Sequence, residues 1–247
     1  MKTIVMLLAC ALPLIAQGNT KADSAKAEAI VARHTAAMGG APAFRALKQA
    51  HIVMTSSIRG SPAIHTEVYT RAPNLVYMKT NLPGLGPMEM GYDGKSAWSI
   101  SRETGPVVHD KPPQNLLNAG NIMGVPLDGA KVTYAGRRKI GWRQYDVVRA
   151  FLPDSERMTG YFDVKTGLLA GMDRENEPPP PPGRMTISFA NYKYFGAVMQ
   201  ATKVTVLASD GQEMVTRTVR LRHAGFVARI FAPPPAVQHL LNKPSQR

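Results

Sequence analysis

The sequence predicts a mainly β fold, an antiparallel sheet or barrel with a few helices. Three observations carry this. From Ala50 onward apolar residues recur with a period of two, as strands with one buried face do. The runs are short and evenly spaced along the chain. The connectors carry turn chemistry: Arg59-Gly60-Ser61-Pro62, Tyr92-Asp93-Gly94-Lys95, Lys165-Thr166-Gly167 and Ser209-Asp210-Gly211.

Residues 1–18 read as a secretory signal peptide. Lys2 supplies a positive start, and Ile4 to Ala16 is apolar but shorter than the roughly 20 residues a membrane-spanning helix needs. Small residues at Ala16 and Gly18 suit cleavage. Residues 19–247 are then one exported domain, long enough to bury a core. The one cysteine, Cys10, lies in the leader, so the mature domain has no disulfide and no thiolate metal ligand. Leu7-Leu8-Ala9-Cys10 resembles a lipoprotein processing box, but only Ile4 to Ala9 would precede the cut, which is short for an apolar core of a leader. Anchoring through Cys10 is the weaker expectation.

Asp23-Ser24 can cap a helix running to about Met38. Ala27, Ile30, Val31, Ala37 and Met38 make its apolar stripe, with His34 on the same side, and Gly39-Gly40 ends it. A short helix over 43–48 follows Pro42. Strands are expected at 50–59, 63–71, 74–80, 86–92 and 96–101, then at 131–137, 143–151, 156–163, 167–173, 184–193, 198–208 and 213–223. The stretch 111–126 breaks the alternation and predicts a long loop with a helix at 113–119. Pro178 to Pro182 cannot donate to a sheet and read as a polyproline loop. After Pro233 to Pro235, Ala236 to Leu241 predict a last helix against the sheet.

The net charge of +13 fits contact with an anionic surface, lipid headgroups first, or simple solubility. Nucleic acid is not expected, because the arginines are scattered and no recognition motif accompanies them. The six histidines lack the spacing of a metal pair, and there is no H-E-x-x-H or G-x-S-x-G. Asp173, Glu175 and Glu177 form an acidic cluster that reads as solvated. Arg137-Arg138-Lys139 with Arg143 forms a basic hairpin, solvated or in contact with phosphate. No catalytic residue, metal or cofactor is assigned.

Methionine is the unusual component. Of 13 in the chain, all but Met1 and Met6 lie beyond the leader. Met54, Met78, Met88, Met90, Met123, Met158, Met172, Met185 and Met199 fall in or beside expected strands. Methionine adapts to irregular apolar ligands, and it also fills ordinary cores. Alternation puts Ile52, Met54 and Ile58 on one face, and likewise Ile64 with Val68, Met88 with Met90, and Trp98 with Ile100. These nine are the expected lining of an apolar cavity; a packed core would alternate in the same way.

Four segments carry a family resemblance. Ile30 to Gly40 with Phe44-Arg45-Ala46-Leu47 resembles an "ALGG…AL..I" opening, and Tyr92 to Trp98 resembles "YDGK..W". Tyr161 to Leu169 resembles "YFD..TGLL", and Asn191 to Gln200 resembles "DY....G...P" with Gln200-Ala201 in place of the usual proline. In this order they resemble the LolA-like superfamily of periplasmic lipoprotein carriers and their relatives. The resemblance implies an open, curved antiparallel half-barrel of about 11 strands, with an N-terminal helix and the 113–119 helix as a lid over a cavity for acyl chains. The carrier keeps an inner-strand arginine that latches the lid; Arg59 and Arg71 are the candidates for latch or headgroup contacts, and neither is assigned. The implied function is a non-enzymatic periplasmic carrier or binding protein, monomeric, for a lipid or acylated protein. It would need no cofactor and would meet a membrane surface or a membrane-anchored partner. An envelope sensing module on the same fold, and a hydrolase, are the alternatives.

Overall fold

The computed structural model describes residues 20–113, 130–151, 157–176, 183–223 and 225–242. The described chain opens with α1 (Thr20–Ala37) and α2 (Gly40–Ala46). Six strands follow: β1 (Gln49–Ile58), β2 (Ile64–Arg71), β3 (Leu75–Leu82), β4 (Gly86–Tyr92), β5 (Ala97–Ser101) and β6 (Gly105–His109). The second set is β7 (Lys131–Ile140), β8 (Arg143–Phe151), β9 (Arg157–Asp163), β10 (Leu169–Asn176), β11 (Gly183–Phe195), β12 (Val198–Leu207) and β13 (Glu213–Arg222). A 3₁₀ turn (Ala228–Phe231) and α3 (Pro235–Leu241) close the described chain.

All 13 strands join one open, curved antiparallel sheet in the order β6-β5-β4-β3-β2-β1-β13-β12-β11-β10-β9-β8-β7. The chain walks from the centre to one edge, restarts at the other edge, and walks back until β13 pairs with β1. The sheet has two more strands than the resemblance implied. β6 was not expected, because Gly105-Pro106-Val107-Val108-His109 is short and begins with two poor strand formers. Pairing with β5 supplies the hydrogen bonds that its own propensity does not. The helix expected at 113–119 lies, but for Pro113, outside the described residues. So do the leader, Met123, Glu177 and Pro178 to Pro182.

Residues directly opposite in an antiparallel pair point to the same side, so the register traces two faces across the whole sheet. The inner face is the one α1 covers. Over β8 to β10 it carries Val148, Ala150, Met158, Phe162, Leu169 and Met172, which pack with Ala27 of α1. Ala27 is fully buried, and its small side chain lets the helix lie close to β7 and β8. His34 of α1 is buried against the β9–β10 turn: its Nδ1 accepts from the Leu169 N–H at 3.3 Å, and its ring meets Phe162 edge-on. Gly39 ends α1 with φ 114°, and the Met199 N–H donates to the Met38 carbonyl at 2.9 Å, tying the helix exit to the β11–β12 hairpin.

The outer face has its own cover at the opposite end. Tyr69, Tyr77 and Trp98 form an aromatic row there. Phe226 meets Tyr69 edge-on and Phe231 packs behind it. The 3₁₀ turn touches β3 and α3 touches β6. The last helix therefore lies against the sheet, as expected. The preceding 3₁₀ turn has no sequence periodicity to announce it.

Candidate functional site

The inner face of β5, β4, β3, β2, β1 and β13 is the candidate site. Its rows follow from register. One row runs Leu221, Ile52, Val68, Met78, Met90, Ser99. The next runs Thr218, Met54, Thr66, Thr80, Met88. Beyond them lie Thr216, Ser56 and Ile64, then Met214 and Ile58. Across these six strands no inner position is charged.

Two pairs of hydroxyls within this surface satisfy one another, and the Ser99 hydroxyl lies 2.9 Å from His109 Nε2. Ser56 and Thr216 lie 2.8 Å apart, and Thr66 and Thr80 lie 3.2 Å apart. Paired hydroxyls cost little to desolvate, so the face behaves as an apolar one with a narrow polar belt. Ile52 and Val68 are fully buried, each worth about 1.5–3 kcal/mol of apolar burial. Met54, Met78, Met88, Ile58, Ile64 and Met214 stay half-buried, so flexible apolar surface remains open to solvent.

The methionines follow the same face beyond this site. Met158, Met172 and Met185 also point inward, on β9, β10 and β11. Met199, opposite Tyr194, points outward. Nothing in the sequence marks Met214 as a member of this face, because alternation within one strand does not say which face meets which.

Seven of the nine expected cavity residues are brought together: Ile52, Met54, Ile58, Ile64, Val68, Met88 and Met90. Trp98 and Ile100 are not among them. They lie opposite Gly91 and Glu89, on the outer face. Trp98 is fully buried there, its ring filling the space above Gly91. Trp98 and Ile100 share a face of β5, but the register to β4 turns that face outward. Arg71 also points outward. It donates to Gln49 Oε1 at 2.9 Å and to the Phe226 carbonyl at 3.2 Å, and its guanidinium lies over the Phe226 and Phe231 rings. It clamps the C-terminal segment. Arg59 sits exposed in the β1–β2 turn.

Two outward carboxylates, Asp173 and Asp163, are held in structural networks. Asp173 accepts from Arg184 at 2.7 Å, from the Thr186 hydroxyl at 2.8 Å and from the Tyr161 hydroxyl at 2.9 Å. Burial alone would raise its pKa; the hydrogen bonds outweigh that and hold it below the usual carboxylate value. Asp163 is likewise held low, burial being outweighed by hydrogen bonds from Thr166 and Lys165 and by Arg143 nearby. Among the described residues no three His, Cys, Asp or Glu are grouped to hold a metal ion.

No family model and no curated protein matches the sequence. Solved structures do match the fold. A DUF1329 family protein from Desulfovibrio piger aligns with TM-score 0.60 at 12% identity, over 83% of this chain and 97% of that one. An outer membrane lipoprotein-sorting protein domain from Vibrio parahaemolyticus aligns with TM-score 0.59 at 10% identity, over 89% of this chain and 100% of that one. A LolA superfamily protein from Nitrosomonas europaea aligns with TM-score 0.57 at 10% identity, over 84% and 97%. The chain has a LolA-like fold. At these identities the likeness is one of architecture, and this chain's own residues must carry the functional reading.

Proposed function

We propose that the protein is a periplasmic carrier or binding protein for a lipid or an acylated protein, held on the inner face of β5 to β13 through β1. The observation that carries this is a six-strand surface without one charged side chain, in a chain of net charge +13. A surface of this breadth that keeps half-buried methionines and isoleucines suits flexible acyl chains, which gain about 0.8 kcal/mol per CH₂ removed from water. Ile52, Val68 and Met90 form the floor, and Met54, Ile58, Ile64 and Met88 the part that meets ligand. The LolA-like fold supports the reading, since one structural relative is named for lipoprotein sorting. Binding of this kind needs no cofactor and no reaction.

The test is native mass spectrometry of the purified protein followed by organic extraction. A bound lipid near one per chain, or uptake of an added acyl probe, is expected. The double substitution Met54→Arg with Met88→Arg places two charges in the apolar rows and is expected to weaken uptake more than tenfold, with the β-sheet circular dichroism retained. A clean apo mass together with no uptake of phospholipid or acyl probe overturns the proposal.

A further inference from the structure

The tip of the β7–β8 hairpin has an unusual composition for an edge of a soluble sheet. β7 is the last strand of the sheet, and it turns into β8 through Gly141 and Trp142. Trp142 is 81% exposed, the highest value among the exposed large hydrophobic residues described, and Ile140 beside it is 55% exposed. Single exposed apolar side chains are ordinary on protein surfaces. Here two large ones share one turn, and cations flank both.

Four cations lie on the two strands at this tip: Arg137, Arg138, Lys139 and Arg143. Arg137 is turned back on Asp146 at 2.9 Å. Arg143 lies 3.6 Å from Asp163 and caps the Trp142 ring at 4.5 Å. Arg138 and Lys139 pair with no described carboxylate. Lys165, exposed on the neighbouring β9–β10 turn, adds a further positive charge and lines the same recess as Trp142. Between the two turns lies a recess of about 400 Å³ bordered by Trp142, Arg143, Val164 and Lys165, with Asp163, the partner of Arg143, also in its lining.

We propose that this hairpin tip docks the protein on anionic phospholipid bilayers. Trp142 and Ile140 would enter the headgroup boundary, where an amphipathic indole is most favourably placed. Arg138, Lys139 and Lys165 would meet the phosphates, and the attraction falls off within a Debye length of the surface. Charge complementarity selects the lipid surface over other occupants: an apolar tip flanked by cations, of which Arg138 and Lys139 have no carboxylate partner among the described residues, matches an apolar interior beneath an anionic plane. The tip is built from β7, β8 and the β9–β10 turn, not from the six strands of the cargo face, so docking does not depend on what that face holds.

The molecule carries its own reporter. Its two tryptophans are Trp98, fully buried, and Trp142. Tryptophan emission is recorded with vesicles of phosphatidylcholine alone, of phosphatidylcholine with phosphatidylglycerol, and of the mixture made with brominated acyl chains. A blue shift with the mixed vesicles only, and quenching by the bromines, is expected. Arg138→Gln with Lys139→Gln keeps the reporter and is expected to weaken docking about tenfold or more. Trp142→Ser is expected to lower vesicle co-sedimentation by a similar factor. The inner-face variant Met54→Arg with Met88→Arg is expected to dock as the parent does, which separates this proposal from the cargo reading. No shift with anionic vesicles, an equal shift with phosphatidylcholine alone, or undiminished co-sedimentation of Trp142→Ser overturns it.

Discussion

Gly91 is glycine because Trp98 fills the place a side chain would need. A Cβ built there falls into the indole ring, which is itself fully buried. Gly91→Ala must push the ring outward and is expected to cost about 1–3 kcal/mol in urea denaturation. His34 gives a different residue-scale prediction. Burial lowers its pKa below 6.5, against a smaller opposing effect of the Gly167 carbonyl. The unfolded chain therefore takes up this proton first as pH falls. Stability contributed by the neutral ring is complete above about pH 6.5 and declines as the medium is acidified through and below it. Between pH 7 and pH 5 the parent is expected to lose more stability than His34→Asn, by chemical denaturation at each pH. The same scale explains what the sequence left unread at the candidate site. Alternation paired Trp98 with Ile100 correctly, yet which side they face depends on Gly91 and Glu89 across the strand pair. That information is stored between strands, not within one.

At the scale of elements, α1 is held by what it lacks. Ala27 is fully buried against Val148, Ala150 and Met158, and the helix approaches β7 closely enough for the Lys26 ammonium to lie 3.7 Å from the Tyr134 ring centre. Ala27→Leu keeps helix propensity but adds volume at this contact, and is expected to lower stability by about 1–3 kcal/mol in thermal denaturation. The helix was legible because its stripe and its glycine stop agree with the fold, but the expected cap at Asp23-Ser24 lies inside the helix, which spans Thr20–Ala37 and carries Asp23 in its first turn. Most strands were legible for the same reason, since period and turn residues coincide. β6 was not, because Gly105 and Pro106 argue against a strand locally and only the β5 edge overrides them.

The whole molecule is two meanders joined at one seam. β1 to β6 and β7 to β13 each form by neighbouring hairpins, and only β13 with β1 connects the two halves of the sheet. Separate polypeptides 19–113 and 130–247 are therefore expected to remain unfolded or aggregated alone, each leaving a central strand unpaired. Co-expressed, they are expected to co-purify with the parent circular dichroism; failure to associate would mean that the connection between β6 and β7 is needed for assembly. The open antiparallel architecture was legible from turn spacing together with family resemblance. The seam itself was not, since nothing local in Ile52 or Leu221 names the other.

That seam also sets the order of folding. Ile52 and Leu221 are neighbours in the sheet but roughly 170 residues apart in the chain, and such a contact repays its loop-closure entropy only after the hairpins on either side exist. The slow step is expected to be closure of that seam between two sets of transient hairpins, neither stable alone and each with a bare centre edge while it waits. Ser57 and Ile58 on one ribbon and Met214 and Val215 on the other are then exposed together, and refolding yield is expected to fall as protein concentration rises.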